Sequence, residues 1–271
     1  MNTNGSLKRL GSELHYWITG AESGTLVVLV HGATLDHHTF DMQVPALTEA
    51  GYRVLTWDLR GHGASKPLGE AINITILADD LKAILDQIGA EQAALVGHSF
   101  GGFVVQDFAY RFPTRVRALA VIGATDLAKK PSVFNKLLFR VFPGLLSRMS
   151  LEDFRKRTLQ NLSLSQDVKA YAARAMEVIQ KDDFVAIIIA GIAALWLDSG
   201  FRSDYVIPKP FLLTHGAQDR ANGNVYSKQA KAWAAREPNS RYEIIPNAGH
   251  TAHMDNPAAF NAILLDFMKA F

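Results

Sequence analysis

Short apolar segments alternate with amphipathic helical segments along most of the chain. The segment LVVLV at 26–30 is uniformly apolar, which is typical of a central parallel strand buried on both faces. The clearest helical segment, 74–88, carries apolar residues at helical spacing and stops before Gly89. This alternation predicts parallel βαβ units and therefore an α/β fold.

The alternation is interrupted once, between 125 and 205, where only helical patterns occur and Pro143 is expected to kink or break a helix. We predict an α/β core made of 1–124 and 206–271, with a helical cap over 125–205. An insert of that length usually forms a lid or specificity domain. The predicted strands are 7–10 and 14–19 (paired antiparallel around Gly11-Ser12), 26–30, 53–57, 93–96, 116–122, 211–214 and 242–245; the predicted core helices are 40–50, 74–88, 101–111, 226–236 and 257–270.

Composition excludes several kinds of chemistry. The 271 residues include no cysteine, which rules out disulfides, a thiolate nucleophile, iron–sulfur ligation and any zinc site that uses Cys. The balance of 28 Lys and Arg against 26 Asp and Glu does not indicate nucleic-acid binding. Eight of those basic residues lie between 129 and 157 with only two acids, a run that we interpret as solvated helix faces.

Targeting signals are weak. The first ten residues lack the apolar run of a secretory signal peptide, and the most apolar window, 184–197, is shorter than a membrane span. That window is interpreted as a buried helix. We therefore expect a cytoplasmic monomer or homodimer that binds neither nucleic acid nor membranes.

The segment Gly97-His98-Ser99-Phe100-Gly101 lies between an apolar strand and a helix. A G-x-S-x-G pattern in that setting is typical of a nucleophile elbow, a sharp turn that strains the serine backbone and exposes its hydroxyl. Side chains at 97 and 101 would collide with neighbouring backbone. Ser99 is therefore the candidate nucleophile, and the Phe100 amide at the helix N-terminus is a candidate oxyanion donor.

A serine nucleophile requires a general base and an acid that orients the base. His250 is preferred as the base because it follows the last predicted strand, and active sites collect at the carboxyl ends of strands; His253 is its rival. Asp219, one loop beyond the FLLT strand, is preferred as the acid over Asp126. The order Ser99, Asp219, His250 matches an elbow-type triad.

The position of a residue relative to a strand or to Ser99 predicts the second oxyanion donor and the roles of two histidines. Ala33 comes directly after the LVVLV strand, so its amide is the natural second donor beside that of Phe100. His98 is interpreted as a structural hydrogen-bonding group, and His31 as a brace for its loop.

Together these motifs resemble the α/β-hydrolase superfamily along nearly the whole chain. The matching features are HGA at 31–33, an aromatic residue at 40, DLRGHGAS at 58–65, GHSFGG at 97–102, G-x-x-D at 216–219, and NAGH at 247–250 followed by Asp255 and Pro257. The resemblance implies an eight-stranded, mostly parallel sheet with helices on both faces and a cap after the sixth strand. It also implies a structural role for 58–65, in which Asp58 holds loop amides and Arg60 braces the turn. We expect neither a metal nor a cofactor.

The resemblance also narrows the chemistry. Haloalkane dehalogenases and epoxide hydrolases of this superfamily carry Asp at the nucleophile position, so Ser99 disfavours both. The segments TWDLRGHGAS and GHSFGG are similar to small carboxylesterases and lactonases, including enol-lactonase-like and acyl-homoserine-lactone-hydrolysing members. The expected activity is hydrolysis of a small, moderately hydrophobic carboxylic ester or lactone through an acyl-enzyme. Carbon–carbon bond hydrolysis or perhydrolysis by the same triad, and a slowly turning-over ligand receptor, stay open.

The cap is expected to line an apolar substrate pocket. For each candidate, plain core packing is an equally good interpretation. The candidate lining residues are Phe134, Leu138, Phe142, Leu145 and Trp196.

Overall fold

Eight strands form a single sheet in the computed structural model, which describes residues 2–197, 200–221 and 225–271. The strands are β1 (Asn2–Arg9), β2 (Ser12–Thr19), β3 (Leu26–Val30), β4 (Arg53–Trp57), β5 (Ala93–His98), β6 (Val116–Ile122), β7 (Phe211–Gly216) and β8 (Ser240–Ile245). The antiparallel strand β2 pairs with β1 and β4, all other neighbours are parallel, and the strand order is β1-β2-β4-β3-β5-β6-β7-β8. The predicted α/β-hydrolase architecture, with its mostly parallel eight-stranded sheet, is confirmed.

Helices cover both faces of the sheet. Side chains alternate along β3, so that Val28 and Val30 join one apolar cluster while Val27 and Leu29 join the other. This burial on both faces explains why LVVLV contains no polar residue. The first cluster includes residues of α2 (Ile74–Gln87), α3 (Phe100–Arg111) and α8 (Val225–Arg236), and the second includes residues of α1 (Gln43–Glu49) and α10 (Pro257–Met268).

Four helices lie between β6 and β7, and within the described part of 125–205 there is no strand. Three of them begin at serines, at positions 132, 150 and 165, whose side chains accept a hydrogen bond from the amide three residues on. The cap helices share an apolar cluster of their own around Phe154, Met176 and Phe184. They are α4 (Val133–Arg148), α5 (Leu151–Gln160), α6 (Gln166–Glu177) and α7 (Lys181–Trp196); a short helix, α9 (Ala252–Asp255), precedes α10. The domain boundaries at 124/125 and 205/206 stay predictions.

The structure differs from the sequence predictions at the first hairpin turn, in the region 37–50 and at Pro143. The β1–β2 turn lies at Leu10-Gly11 rather than at Gly11-Ser12, and both turn residues have positive φ, +47° and +73°, as a two-residue hairpin turn requires. The predicted helix over 40–50 is a 3₁₀ turn at His37–Phe40 followed by α1. The sequence predicted a kink or a break at Pro143; the helix α4 continues through this residue, so there is no break, although proline removes one backbone donor there.

The 58–65 segment has the structural role that the resemblance implied. Asp58 accepts hydrogen bonds from the amides of His37 and Ala64, both at 2.7 Å. Arg60 is fully buried and donates two hydrogen bonds to Asp80, at 2.7 and 2.8 Å. A buried guanidinium requires such a paired carboxylate, so the Arg60–Asp80 pair fixes this turn against α2.

Candidate active site

Ser99 occupies the sharp turn between β5 and α3. Its backbone has φ +51° and ψ −113°, a strained conformation for a residue other than glycine. A Cβ at Gly97 would lie 2.4 Å from the carbonyl oxygen of Gly101, and a Cβ at Gly101 would lie 2.2 Å from that of Val30. The strained serine and the need for glycine on either side are therefore confirmed. The turn itself is fixed by a 2.8 Å hydrogen bond from the Ser99 amide to Ile122 in β6.

A chain of hydrogen bonds joins the three residues that the sequence proposed as a triad. Nε2 of His250 lies 2.9 Å from Oγ of Ser99, and its Nδ1 lies 3.0 Å from Oδ2 of Asp219. The second carboxylate oxygen of Asp219 accepts a 2.9 Å bond from the amide of Ala221, which fixes its orientation. Both His250 and Asp219 are buried. With Nδ1 donating to the carboxylate, Nε2 is left to accept the serine proton.

The loops that carry His250 and Asp219 are held together beyond adjacent parallel strands. The amide of Gln218, in the loop after β7, donates a 2.9 Å hydrogen bond to the carbonyl oxygen of Ala248. The amide of Ala248 in turn donates a 3.0 Å hydrogen bond to Oε1 of Gln218. Because β7 and β8 are parallel neighbours, their carboxyl ends meet at one edge of the sheet. The reciprocal bonds therefore fix the acid and the base relative to each other.

The rival base and the rival acid are placed elsewhere. His253 is buried, and its Nε2 lies 3.2 Å from Oγ1 of Thr39. It does not line the cavity at Ser99. Burial lowers its pKa to about 3, which makes it a weak base. Asp126 forms an ion pair with Arg236 instead of approaching His250.

The two histidines interpreted as structural make structural contacts. Nε2 of His98 lies 3.1 Å from the carbonyl oxygen of His250, and burial lowers the pKa of His98 well below its usual value. Nε2 of His31 accepts a 2.9 Å bond from the amide of Leu59, and burial lowers the pKa of His31 to about 4. Both rings are neutral near pH 7, so their hydrogen bonds hold loops in place.

The two proposed oxyanion donors lie beside the nucleophile. Ala33 and Phe100 both line the cavity that contains Ser99, and neither amide donates a hydrogen bond to a residue that the structure describes. Phe100 is the first residue of α3, where helix amides have no partner within the helix. A Cβ at Gly32 would lie 3.3 Å from Cβ of Ser99, so the loop after β3 packs directly against the elbow. Both amides are available to an oxygen atom bound there.

The cavity at Ser99 has a volume of about 290 Å³ and two unlike walls. One wall is apolar and comes from α7, through Ile187, Ile188, Gly191, Ile192 and Leu195. The other wall lies at the end of α5 and carries Arg157, Thr158 and Asn161. Among the described lining residues, Arg157 is the only Lys, Arg, Asp or Glu, and it makes no hydrogen bond or ion pair with any residue that the structure describes.

The predicted pocket residues do not line this cavity, and that expectation is corrected. Phe134 and Leu145 are exposed on α4, and Leu138 is half-buried on the same helix. Phe142 and Trp196 pack edge to face, with ring centroids 5.2 Å apart, and line a neighbouring cavity of about 630 Å³. The sequence pattern identified apolar helix faces but did not show the direction in which each face points. The face of α7 that carries Ile187, Gly191 and Leu195 is the one that lines the cavity at Ser99.

Two residues that contact His250 or make room for it were not identified from the sequence. The ring of Tyr226 stacks on His250 with centroids 5.0 Å apart and planes 19° apart, and no motif around it signals this contact. Gly123, directly after β6, has φ +58°, and a Cβ there would lie 3.1 Å from Nδ1 of His250. A glycine at the carboxyl end of a strand was the available signal for this position.

Asp255 connects the loop of His250 to the cap. Its carboxylate accepts a 2.7 Å bond from the amide of Gly249 and a short bond from the hydroxyl of Ser163. The amide of Thr251 adds a 3.0 Å bond to the carbonyl of Leu162. The segment between α5 and α6 is thus bonded to the residues on both sides of His250.

Among the described residues, no group of three or more His, Asp or Glu side chains is arranged to hold a metal ion. Within that same part of the chain, none of the helices has the length and apolar character needed to cross a bilayer.

Residues 25–257 match the family model of the alpha/beta hydrolase fold. The chain belongs to the α/β-hydrolase fold family. The match covers the elbow, the cap and both loops that carry Asp219 and His250.

Relatives within this family have diverse names. The chain is 30% identical over 284 residues to a 2-hydroxy-6-oxononadienedioate/2-hydroxy-6-oxononatrienedioate hydrolase of Paraburkholderia phymatum, covering 95% of this chain and 92% of the relative. It is 26% identical over 303 residues to bifunctional epoxide hydrolase 2 of Sus scrofa, covering 96% of this chain but 54% of the relative. The α/β-hydrolase chain thus spans about half the length of that epoxide hydrolase.

Solved structures share the fold of this α/β-hydrolase over almost its whole length. A thermophilic esterase from Thermogutta terrifontis superposes with a TM-score of 0.82 at 24% identity, covering 98% of each chain. The enol-lactonase from Burkholderia xenovorans superposes with a TM-score of 0.81 at 23% identity, covering 98% of this chain and 100% of the other. At these identities the likeness establishes the common fold.

Proposed function

We propose that this α/β-hydrolase cleaves a small, moderately hydrophobic carboxylic ester or lactone through an acyl-enzyme. The observation that carries the proposal is the hydrogen-bonded chain from Ser99 through His250 to Asp219 beside a cavity with an apolar wall. A neutral serine hydroxyl is a poor nucleophile, and this chain supplies the base and the orienting acid that it needs.

The reaction follows from the positions of these groups. Oγ of Ser99 attacks the acyl carbon while Nε2 of His250 takes its proton, and the same proton then passes to the leaving alcohol. Asp219 holds the imidazole in the required tautomer and stabilises the imidazolium. Water, deprotonated by His250, next attacks the acyl-enzyme and releases the acid. A lactone passes through the same steps, and the product is a ring-opened hydroxy acid.

The negative oxygen of each tetrahedral intermediate needs donors already in place. The amides of Ala33 and Phe100 line the cavity beside Ser99, and no described residue accepts a hydrogen bond from either of them. Loss of one such donor typically lowers kcat by about 10²–10³-fold. Both donors are backbone groups, so side-chain substitution at these positions leaves them in place.

The nucleophile separates this proposal from epoxide hydrolysis. The relative from Sus scrofa is named an epoxide hydrolase, yet enzymes of that kind are expected to carry Asp where this chain has Ser99. Serine suits an acyl carbon because the intermediate ester is opened by water activated at His250.

A second candidate is hydrolysis of a carbon–carbon bond next to a carbonyl. It is favoured by the relative from Paraburkholderia phymatum, whose named substrate is a dicarboxylate. Arg157, the charged lining residue, would suit such a substrate.

A substrate panel tests the proposal directly. Purified protein is assayed with p-nitrophenyl acetate, butyrate and octanoate, with γ- and δ-lactones, and with a 2-hydroxy-6-oxo-dienoate, beside Ser99→Ala. We expect repeated turnover of an ester or lactone and its loss in Ser99→Ala. Faster cleavage of the dienoate than of any ester would support the second candidate. Release of one product equivalent per protein without turnover would contradict both and indicate a ligand receptor.

A further inference from the structure

An exposed apolar face runs along the cap helix α4. Its five large apolar side chains are each more than half exposed, and helical spacing places them on one side of the helix. We refer to these five residues as the α4 face. They are Val133 (83% exposed), Phe134 (70%), Leu137 (59%), Val141 (57%) and Leu145 (55%).

The other side of α4 is used for packing. Leu146 is buried, and Phe142 packs against Trp196 of α7, whose middle turns form the apolar wall at Ser99. The α4 face therefore points away from the cap, and no described residue covers it. Two of its members, Phe134 and Leu145, are residues that the sequence pattern assigned to the pocket.

Positive charge accompanies the α4 face. Between 127 and 151 the chain has five Lys and Arg residues and no Asp or Glu. Helical spacing places Lys136 and Arg140 along one edge of the face, and Arg148 lies near its C-terminal end. These three side chains are exposed and form no ion pair with any residue that the structure describes.

We propose that the α4 face binds the surface of a membrane that contains anionic lipids, contrary to the expectation from the sequence that this protein binds no membrane. The five apolar side chains would enter the boundary between headgroups and acyl chains, and Lys136, Arg140 and Arg148 would contact the anionic headgroups. Within the described residues no helix can cross a bilayer, so the association is at the surface. This proposal does not depend on the reaction at Ser99.

Shape and charge favour a lipid surface over a second copy of the chain. The α4 face is a convex strip along one helix, which a bilayer surface can accept without a matching groove. In a twofold dimer the same face meets itself, so the exposed cations of both copies would be brought together without acids to pair them. An anionic bilayer supplies an apolar layer and negative charge together.

Vesicle flotation tests the proposal with the full chain. Wild-type protein is mixed with vesicles of phosphatidylcholine alone or of phosphatidylcholine with phosphatidylglycerol, and is then floated on a density gradient. We expect flotation only with the phosphatidylglycerol vesicles. The variant Phe134→Ser/Leu137→Ser and the charge variant Lys136→Glu/Arg140→Glu should each bind about tenfold less, because one loses apolar insertion and the other loses headgroup attraction.

A control variant removes exposed apolar residues elsewhere on the molecule. Met42→Ser/Ile244→Ser changes two side chains that are 56% and 49% exposed and lie outside α4, and it should float like the wild type. Circular dichroism melts establish that every variant folds. The proposal is overturned if the wild type stays with the free protein, or if the control loses flotation as much as the α4 variants do. It is also overturned if the wild type ignores vesicles and sediments as a dimer that Phe134→Ser/Leu137→Ser dissociates.

Discussion

His250 connects the nucleophile to the acid in the proposed chemistry, and three neighbours determine its position. Asp219 orients Nδ1 from 3.0 Å, and the ring of Tyr226 stacks on the imidazole. Gly123 makes room for the ring because it has no side chain. The imidazole is therefore positioned by its hydrogen bond to Asp219, by stacking on Tyr226 and by the space left beside Gly123.

Replacing the acid should show which carboxylate orients His250. Asp219→Asn should lower kcat for p-nitrophenyl butyrate by about 10³–10⁴-fold, because an amide favours the wrong imidazole tautomer. Asp126→Asn should change kcat less than about threefold, because Asp126 pairs with Arg236. Steady-state kinetics on both variants measure this. A larger loss in Asp126→Asn would move the acid to the loop after β6.

Filling the space at Gly123 should displace the imidazole. A Cβ there would lie 3.1 Å from Nδ1 and Cε1 of His250, so Gly123→Ala should lower kcat by about 10–10²-fold with less effect on KM. Gly89→Ala is the matched control, since Gly89 also has positive φ, +68°, but has no heavy atom near the Cβ position. Both variants should lose similar stability on thermal melting. Equal kcat in the two would refute the positioning role.

Helices α5 and α7 together decide what the cavity can accept. The α7 wall is apolar through Ile187, Ile192 and Leu195, whereas the α5 wall presents Arg157 and Asn161. A substrate with an apolar part and a distal polar group would match both walls. The α5 wall is linked to the core, since the segment after α5 is bonded to Asp255 and Thr251.

Arg157 should determine the response to negative charge on the substrate. Arg157→Ala should lower kcat/KM for an ester that ends in a carboxylate by about tenfold relative to its methyl-capped analogue, because a charge-assisted hydrogen bond is lost. Lys156→Ala, a neighbouring change outside the cavity lining, should leave that ratio unaltered. The readout is the ratio of kcat/KM for the two esters. An unchanged ratio in Arg157→Ala would show that the cation does not contact substrate.

Four histidines, at positions 31, 62, 98 and 253, are fully buried, and burial favours their neutral form. Burial lowers the pKa of His31 to about 4, and that of His62 and His253 to about 3 each, from an ordinary 6.5. In the unfolded chain the same rings take up protons below pH 6.5. They therefore stabilise the fold fully above pH 6.5 and progressively less as the pH falls toward 4 and 3.

Stability should accordingly fall on mild acidification. By pH 5 each ring should have lost about 1–2 kcal/mol of its contribution, so the urea midpoint should be clearly lower at pH 5 than at pH 7. Tryptophan fluorescence during urea titration measures this. His253→Gln removes one titrating ring and should flatten the pH dependence, while His38→Gln, at an exposed position, should not. A midpoint that is constant from pH 7 to pH 5 would contradict the neutral burial of these rings.

Local rules sufficed for the alternation of strands and helices, for the elbow and for the positions of Asp219 and His250 after strands, whereas the eight-stranded sheet was implied by the family resemblance. Strand and helix periodicity and the demand for glycine around a strained serine act within a few residues, so they can be recognised in the chain itself. Tertiary packing decided which apolar helix faces the nucleophile, and therefore left Phe134 and Leu145 exposed while α7 and Arg157 formed the cavity. It also placed Tyr226 on His250. Helical periodicity defines a face but not its direction, because direction depends on contacts between residues far apart in the chain.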